Sequence, residues 1–277
     1  MILNFNSAIW VCVVGAVLIS CERVIDLDVG ENPSLPVLNF RLDVHSGQIF
    51  GNVSKSVDYF SPEAPSLVFD AEVHVSDGEG ITYPLVAEEL IGFYLNQELG
   101  DAFVNGETAN LEVALDGRTF RAVNAAPSTG LALDSLELLE APDFGFGPED
   151  PVDSLFPEYQ VALHFPADSV SHNLLIEYFV DDEQVSDVIQ VFKTSPDAVT
   201  TVPLGWNQRF FEAGEEVVVW AWTLPEASYD FWLALSNIVQ AGGPGAVPGN
   251  PPNHWDQEAL GHFTVGRLDV AEIIIPD

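Results

Sequence analysis

Cationic side chains are the scarcest feature of this sequence. Lysine and arginine total 8 in 277 residues against 43 aspartates and glutamates, a formal net charge of −35. Binding to nucleic acid or to anionic headgroups depends on clustered cations. No such cluster exists here, with Lys55 and Lys193 the only lysines, so neither partner class is expected. Cysteine is rarer still, with only Cys12 and Cys21. Two thiols so placed build no disulfide framework, zinc pattern or thiol nucleophile, and stability must come from core packing. No apolar run reaches the roughly 20 residues that a membrane-spanning helix needs. Signatures of chemistry are also missing: no G-x-S-x-G elbow, H-E-x-x-H, P-loop or dinucleotide fingerprint occurs. No catalytic residue and no cofactor are expected, and a hydrolase is the least supported alternative.

What is present begins with hydrophobic bulk. The chain is 47% hydrophobic, with 18 Phe and 6 Trp, which rules out a disordered chain despite the charge. Self-repulsion of such a surface destabilises the compact state unless salt screens it. At ~1 M salt the screening length is about 3 Å, so the acidity reads as adaptation to a saline milieu.

The longest apolar stretch, Ala8 to Ser20, matches the h-region of a secretory signal. It ends in Leu18-Ile19-Ser20-Cys21, the pattern of a bacterial lipobox, although residues 1–20 hold no Lys or Arg. Residues 1–20 are therefore expected as a lipoprotein signal peptide, Cys21 as the lipidated first residue of the mature chain, and 21–34 as a tether. A plain signal peptide, or a buried N-terminal helix with Cys21 as a spectator, is the alternative.

The body reads as all-β. Leu38, Phe40, Leu42 and Val44 alternate with polar residues, as do Ala71, Val73 and Val75. Asp77-Gly78-Glu79-Gly80 turns into Ile81, Tyr83 and Leu85, and Leu111, Val113 and Leu115 run into Asp116-Gly117, a strong hairpin signal. These strands predict an immunoglobulin-like β-sandwich over 24–126. Pro127-Ser128-Thr129-Gly130 marks a boundary, and a second β-sandwich in tandem is expected over 127–277. Its strands are expected near 133, at 159–165, 174–180, 187–192 and 216–224, and near 260–267 and 270–275. Residues 141–157 and 242–253 read as Pro- and Gly-rich loops. One α-helix is predicted over 225–241, where Tyr229, Trp232, Ser236 and Val239 recur at helical spacing and Thr223 with Glu226 resembles a capping box.

Several segments together carry a resemblance: Cys21 with "VIDLDV" (24–29), "SKSVDYF" (54–60), "AEVHVSDGEG" (71–80), "LDSL" (133–136), "YDFWLAL" (229–235), "NPPN" (250–253) and "ALGHF" (259–263). In this order they resemble a family of bacterial outer-membrane lipoproteins, defined as a domain of unknown function and commonly encoded beside TonB-dependent receptors. The resemblance implies an envelope accessory protein, lipid-anchored at the outer membrane and working with a transporter. It supplies no catalytic residues, and Cys21 is the one position it transfers.

Three clusters invite a site. "HWDQEALGH" places His254, Asp256, Glu258 and His262 at spacings that could share a helix face and hold a divalent ion. NPPN before it and Gly261 within it favour solvated loop polars, and no metal is expected. "DGEG" (77–80) and "DDE" (181–183) are rich in oxygen ligands, but they lack the order of a calcium loop and read as turns. Of the tryptophans, Trp220 and Trp222 are expected in the core beneath the helix. Trp206 and Trp255 lie beside Gly- or Pro-rich loops and are expected to be exposed, as contacts for a partner or ligand. Two function classes lead: a lipid-anchored accessory or binding module of an uptake system, its ligand unidentified, and a structural or assembly lipoprotein without a small ligand.

Overall fold

The computed structural model describes residues 34–57, 61, 63–103, 106–140, 159–185, 189–204, 211–240 and 251–276. The expected signal peptide, Cys21 and the loop at 141–157 lie outside them.

Alternation of apolar and polar residues builds the first strands: β1 (Pro36–Asp43), β2 (Gln48–Lys55), the short β3 (Ser66–Leu67), β4 (Glu72–Ser76), β5 (Thr82–Glu88), β6 (Phe93–Asn96), β7 (Thr108–Leu115) and β8 (Arg118–Ala125). In β7 every second residue is buried, from Ala109 to Leu115, which leaves one face for the core and one for water. Asp116 and Gly117 take φ of 52° and 73°, the two positive values that a type I′ turn requires between β7 and β8. β2 has a less regular pattern because Gly51 occupies a buried position. A Cβ there would stand 2.3 Å from both the Asn39 carbonyl and the Phe40 ring, so the pairing of β1 with β2 depends on glycine.

The chain continues through β9 (Ser135–Glu140), β10 (Tyr159–Phe165), β11 (Asn173–Val180), β12 (Glu183–Gln184), β13 (Gln190–Lys193), β14 (Thr200–Pro203) and β15 (Glu216–Leu224). It then enters α1 (Glu226–Gln240) and ends on β16 (Phe263–Ile274). The fold is all-β and sandwich-like, with one mixed sheet of 13 strands and a second of 3 among the described residues.

β16 joins the two halves of the chain. Its start pairs parallel to β1, Phe40 opposite Phe263 through Asp43 opposite Gly266. Its remainder pairs antiparallel to β15, Thr223 opposite Arg267 through Glu216 opposite Ile274. The two strands expected at 260–267 and 270–275 are thus one strand that changes partner at Gly266. Phe263 to Gly266 are buried on both faces, whereas the following residues are half-buried or exposed.

The described core has two large clusters. One holds residues 38–126 together with Trp255, Ala259, Phe263 and Val265. The other draws on residues 131–275. Residues 255–265, which their sequence position assigns to the C-terminal domain, therefore pack in the N-terminal core, because β16 must reach β1 to complete its sheet. A third cluster lies under α1, where Leu175, Trp222 and Leu224 meet Tyr229 and Trp232. The expected capping box does not form. Thr223 is the penultimate residue of β15 and its hydroxyl bonds to Leu131, while Glu226 takes Asn173 and Lys193.

Candidate binding surfaces

The expected partner contacts fall differently in the structure. Trp206 lies outside the described residues. Trp255 is 4% exposed and belongs to the N-terminal core, which corrects the expectation that it is exposed. The reason is local. Residues 254–257 run along the free edge of β8, and their polar groups pair with it while Trp255 turns inward. Asp256 N–H donates to the Arg121 carbonyl at 2.9 Å, and Arg121 N–H donates to the Asp256 carboxylate at 2.8 Å. Gln257 donates its amide to the Thr119 carbonyl, and His254 Nε2 lies 3.2 Å from the Val123 carbonyl. An edge strand left open invites pairing with another chain, and this segment occupies that edge.

The four residues of "HWDQEALGH" do not converge on one point. His254 Nδ1 accepts from Phe263 N–H at 3.3 Å, and with Nε2 on Val123 both ring nitrogens are engaged. His254 and His262 stack at 4.0 Å, while Glu258 is exposed. Burial holds His254 below the usual histidine range. Burial above all, then His254, pulls His262 down to about 2, so it is neutral and a poor base near neutrality. Its Nε2 lies 3.1 Å from Ser228 Oγ, which also accepts from Asn124 Nδ2 at 2.7 Å. A serine beside a histidine resembles an activated nucleophile. Ser228 is 0% exposed, however, and Asn124 bonds onward to the Phe263 carbonyl. The cluster ties α1 to β8 and β16 and offers no nucleophile to solvent.

Both acidic turns have structural work. Asp77 Oδ1 accepts from Glu79 and Ile81 N–H at 3.0 and 2.9 Å. Asp181 and Asp182 adopt φ of 50° and 66° in the turn after β11, and Asp181 accepts from Glu216 N–H.

Two surfaces remain. The first is a hollow of about 390 Å³ on the solvent face of β4, β5, β7 and β8. Cross-strand register arranges its side chains in two rows. Thr82, Ser76, Asn110 and Val123 stand opposite one another in sequence across the four strands. The second row is Pro84, His74, Glu112 and Arg121, with Arg121 Nε donating to Glu112 at 2.7 Å. The sequence marks His74, Ser76 and Glu112 as outward positions by their alternation, but the register that lines them up is not written in any one strand.

The second surface is a row of aromatic rings where the two halves meet. Phe179 and Trp220 centroids lie 4.8 Å apart, Trp220 and Phe50 6.0 Å, and Phe50 and Phe93 6.3 Å. Trp222 is fully buried, as expected beneath the helix, whereas Trp220 is half-buried at the margin of that cluster. Beside the row, on the same sheet face, Arg41 stands opposite Phe50 and Glu177 opposite Trp220. Arg41 forms a two-pronged ion pair with the buried Glu177 and lies 4.8 Å from the Trp232 ring. That geometry joins a charge-assisted pair to a cation–π contact.

Among the described residues no helix is long and apolar enough to cross a membrane, and no group of three metal-ligating side chains occurs. Neither protein-family models nor curated proteins give a match to this chain.

Proposed function

We propose that this chain is a lipid-anchored binding protein of the cell envelope, an accessory to a TonB-dependent outer-membrane transporter. The observation that carries the reading is the hollow on β4, β5, β7 and β8, where polar side chains from four strands converge on one concavity. Pockets of roughly 300–1,000 Å³ with a few convergent polar groups are the usual place for a ligand. The lipobox pattern ending in Cys21 supports the anchor, and the low cation content argues against a nucleic-acid role.

Affinity purification from detergent-solubilised membranes tests the reading. A β-barrel transporter is expected to co-purify, and Cys21→Ser should move the protein from the detergent phase to the aqueous phase with its fold intact. Recovery of the protein without any membrane partner overturns the transporter role. Detergent partition of the serine variant overturns the anchor.

The aromatic row favours a second reading, an assembly lipoprotein that contacts protein and takes no small ligand. Phe93 is 37% exposed and Val270, opposite Trp220, 57% exposed, and partly exposed aromatic rings are characteristic of protein contacts. Loss of partner capture in Trp220→Ala, with no ligand that stabilises the fold, would favour that reading.

A further inference from the structure

We infer that the hollow on β4, β5, β7 and β8 binds a neutral polyhydroxylated ligand, the end of a short saccharide. The inference rests on the binding-protein reading and names its ligand class.

The chemistry of the two rows selects among ligands. The first row offers two hydroxyls and an amide, from Thr82, Ser76 and Asn110. The second offers an imidazole, a carboxylate and a guanidinium, from His74, Glu112 and Arg121. Donors and acceptors are therefore interspersed, which suits a sugar hydroxyl because it both donates and accepts. The planar Asn110 amide presents two atoms side by side for neighbouring hydroxyls, and the Arg121–Glu112 pair, joined through Nε and Oε2, keeps the terminal guanidinium nitrogens and Oε1 for them.

Other classes fit poorly. An anionic ligand would need a free cation, but Arg121 is paired with Glu112 on a chain of net charge −35. A cationic ligand would need a free carboxylate, and the same pair occupies Glu112. A largely apolar ligand would leave the polar groups of both rows without partners, and Leu111 and Ala122 turn their side chains to the core on the opposite face. Val123, 56% exposed, supplies one apolar spot beside Asn110 for the C–H face of a ring.

The platform is also rigid. Its four strands pair in unbroken register from β5 to β8, and residues 254–257 close the outer edge. A preorganised surface loses little conformational freedom on binding. The Arg121 contacts that close the edge use its backbone, so truncating its side chain spares them.

The test is isothermal titration calorimetry of the detergent-solubilised full chain with maltotetraose, cellotetraose, xylotetraose and mannotetraose. At least one should bind with Kd at or below about 1 mM, the modest affinity expected of a few hydrogen bonds on an open surface. Asn110→Ala and Arg121→Ala should each weaken it by about tenfold or more, with the melting temperature unchanged. Absence of heat with all four sugars overturns the inference, as does binding that neither substitution alters. If no sugar binds while a transporter still co-purifies, the ligand class fails and the accessory role stands. If sugar binds and no transporter co-purifies, the accessory role fails and the site stands.

Discussion

Arg121 and Asp256 exchange two hydrogen bonds across 135 residues of sequence, main chain to main chain in one direction and main chain to carboxylate in the other. Together with Gln257 on Thr119 and His254 on Val123, the pair turns the edge of β8 into a closed one. Asp256→Ala removes the acceptor of Arg121 N–H, and a lost hydrogen bond of this kind costs about 0.5–1.5 kcal/mol. A melting temperature lowered by a few degrees is expected, with concentration-dependent association in light scattering as the edge opens. A variant as stable and as monodisperse as the parent would show that the edge is guarded otherwise.

Trp255, the neighbour that turns inward, is packed among core residues of the N-terminal half. Trp255→Ala should cost about 3–5 kcal/mol by leaving a cavity, read as a lower urea midpoint. A surface tryptophan would lose within about 0.5 kcal/mol, so the magnitude separates core from docking anchor.

His262 makes stability depend on pH. Its native value is about 2 against an ordinary 6.5. Between those values the unfolded chain binds a proton that the native state refuses, so this contribution is complete above 6.5 and is lost as pH falls through the window. By pH 5 the loss from this one group reaches ~2 kcal/mol. The stability lost by the parent between pH 7.5 and 5 should exceed that lost by His262→Phe, which keeps a ring in the stack between Phe231 and His254. Equal losses would mean that His262 takes up its proton in the native state as readily as in the unfolded one.

Salt should stabilise the fold. Glu216 is pushed above the usual carboxylate range chiefly by Glu272, then by burial and Asp182. Its ionised form is disfavoured in the native state, so stability falls as pH rises past its ordinary value. Raising sodium chloride from ~0.05 to ~1 M shortens the screening length from over 10 Å to about 3 Å. The melting temperature should rise by several degrees, and by less in Glu272→Gln, measured by differential scanning fluorimetry. A flat response in both proteins would indicate that the carboxylates are already compensated.

Local pattern was enough for much of the architecture. The alternation at 38–44 and 111–115, the Asp116-Gly117 turn and the apolar stripe of 225–241 each encode an element within a few residues, because strand and helix periods are set by the backbone itself. The pattern was silent for β2, where Gly51 stands at a buried position that an apolar side chain would normally mark. It also divided β16 in two, since the strand becomes half-exposed where it leaves β1 for β15. Residues 254–262 were the least legible. Their histidines and acids suggest a cluster, and the prolines just before them, Pro251 and Pro252, an exposed loop, yet the free edge of β8 and the need of β1 for a parallel partner decide where each side chain goes. The outward-facing residues of the hollow were visible in single strands, one by one. Their alignment into rows was decided by register between strands, a property of paired chains that no single segment contains.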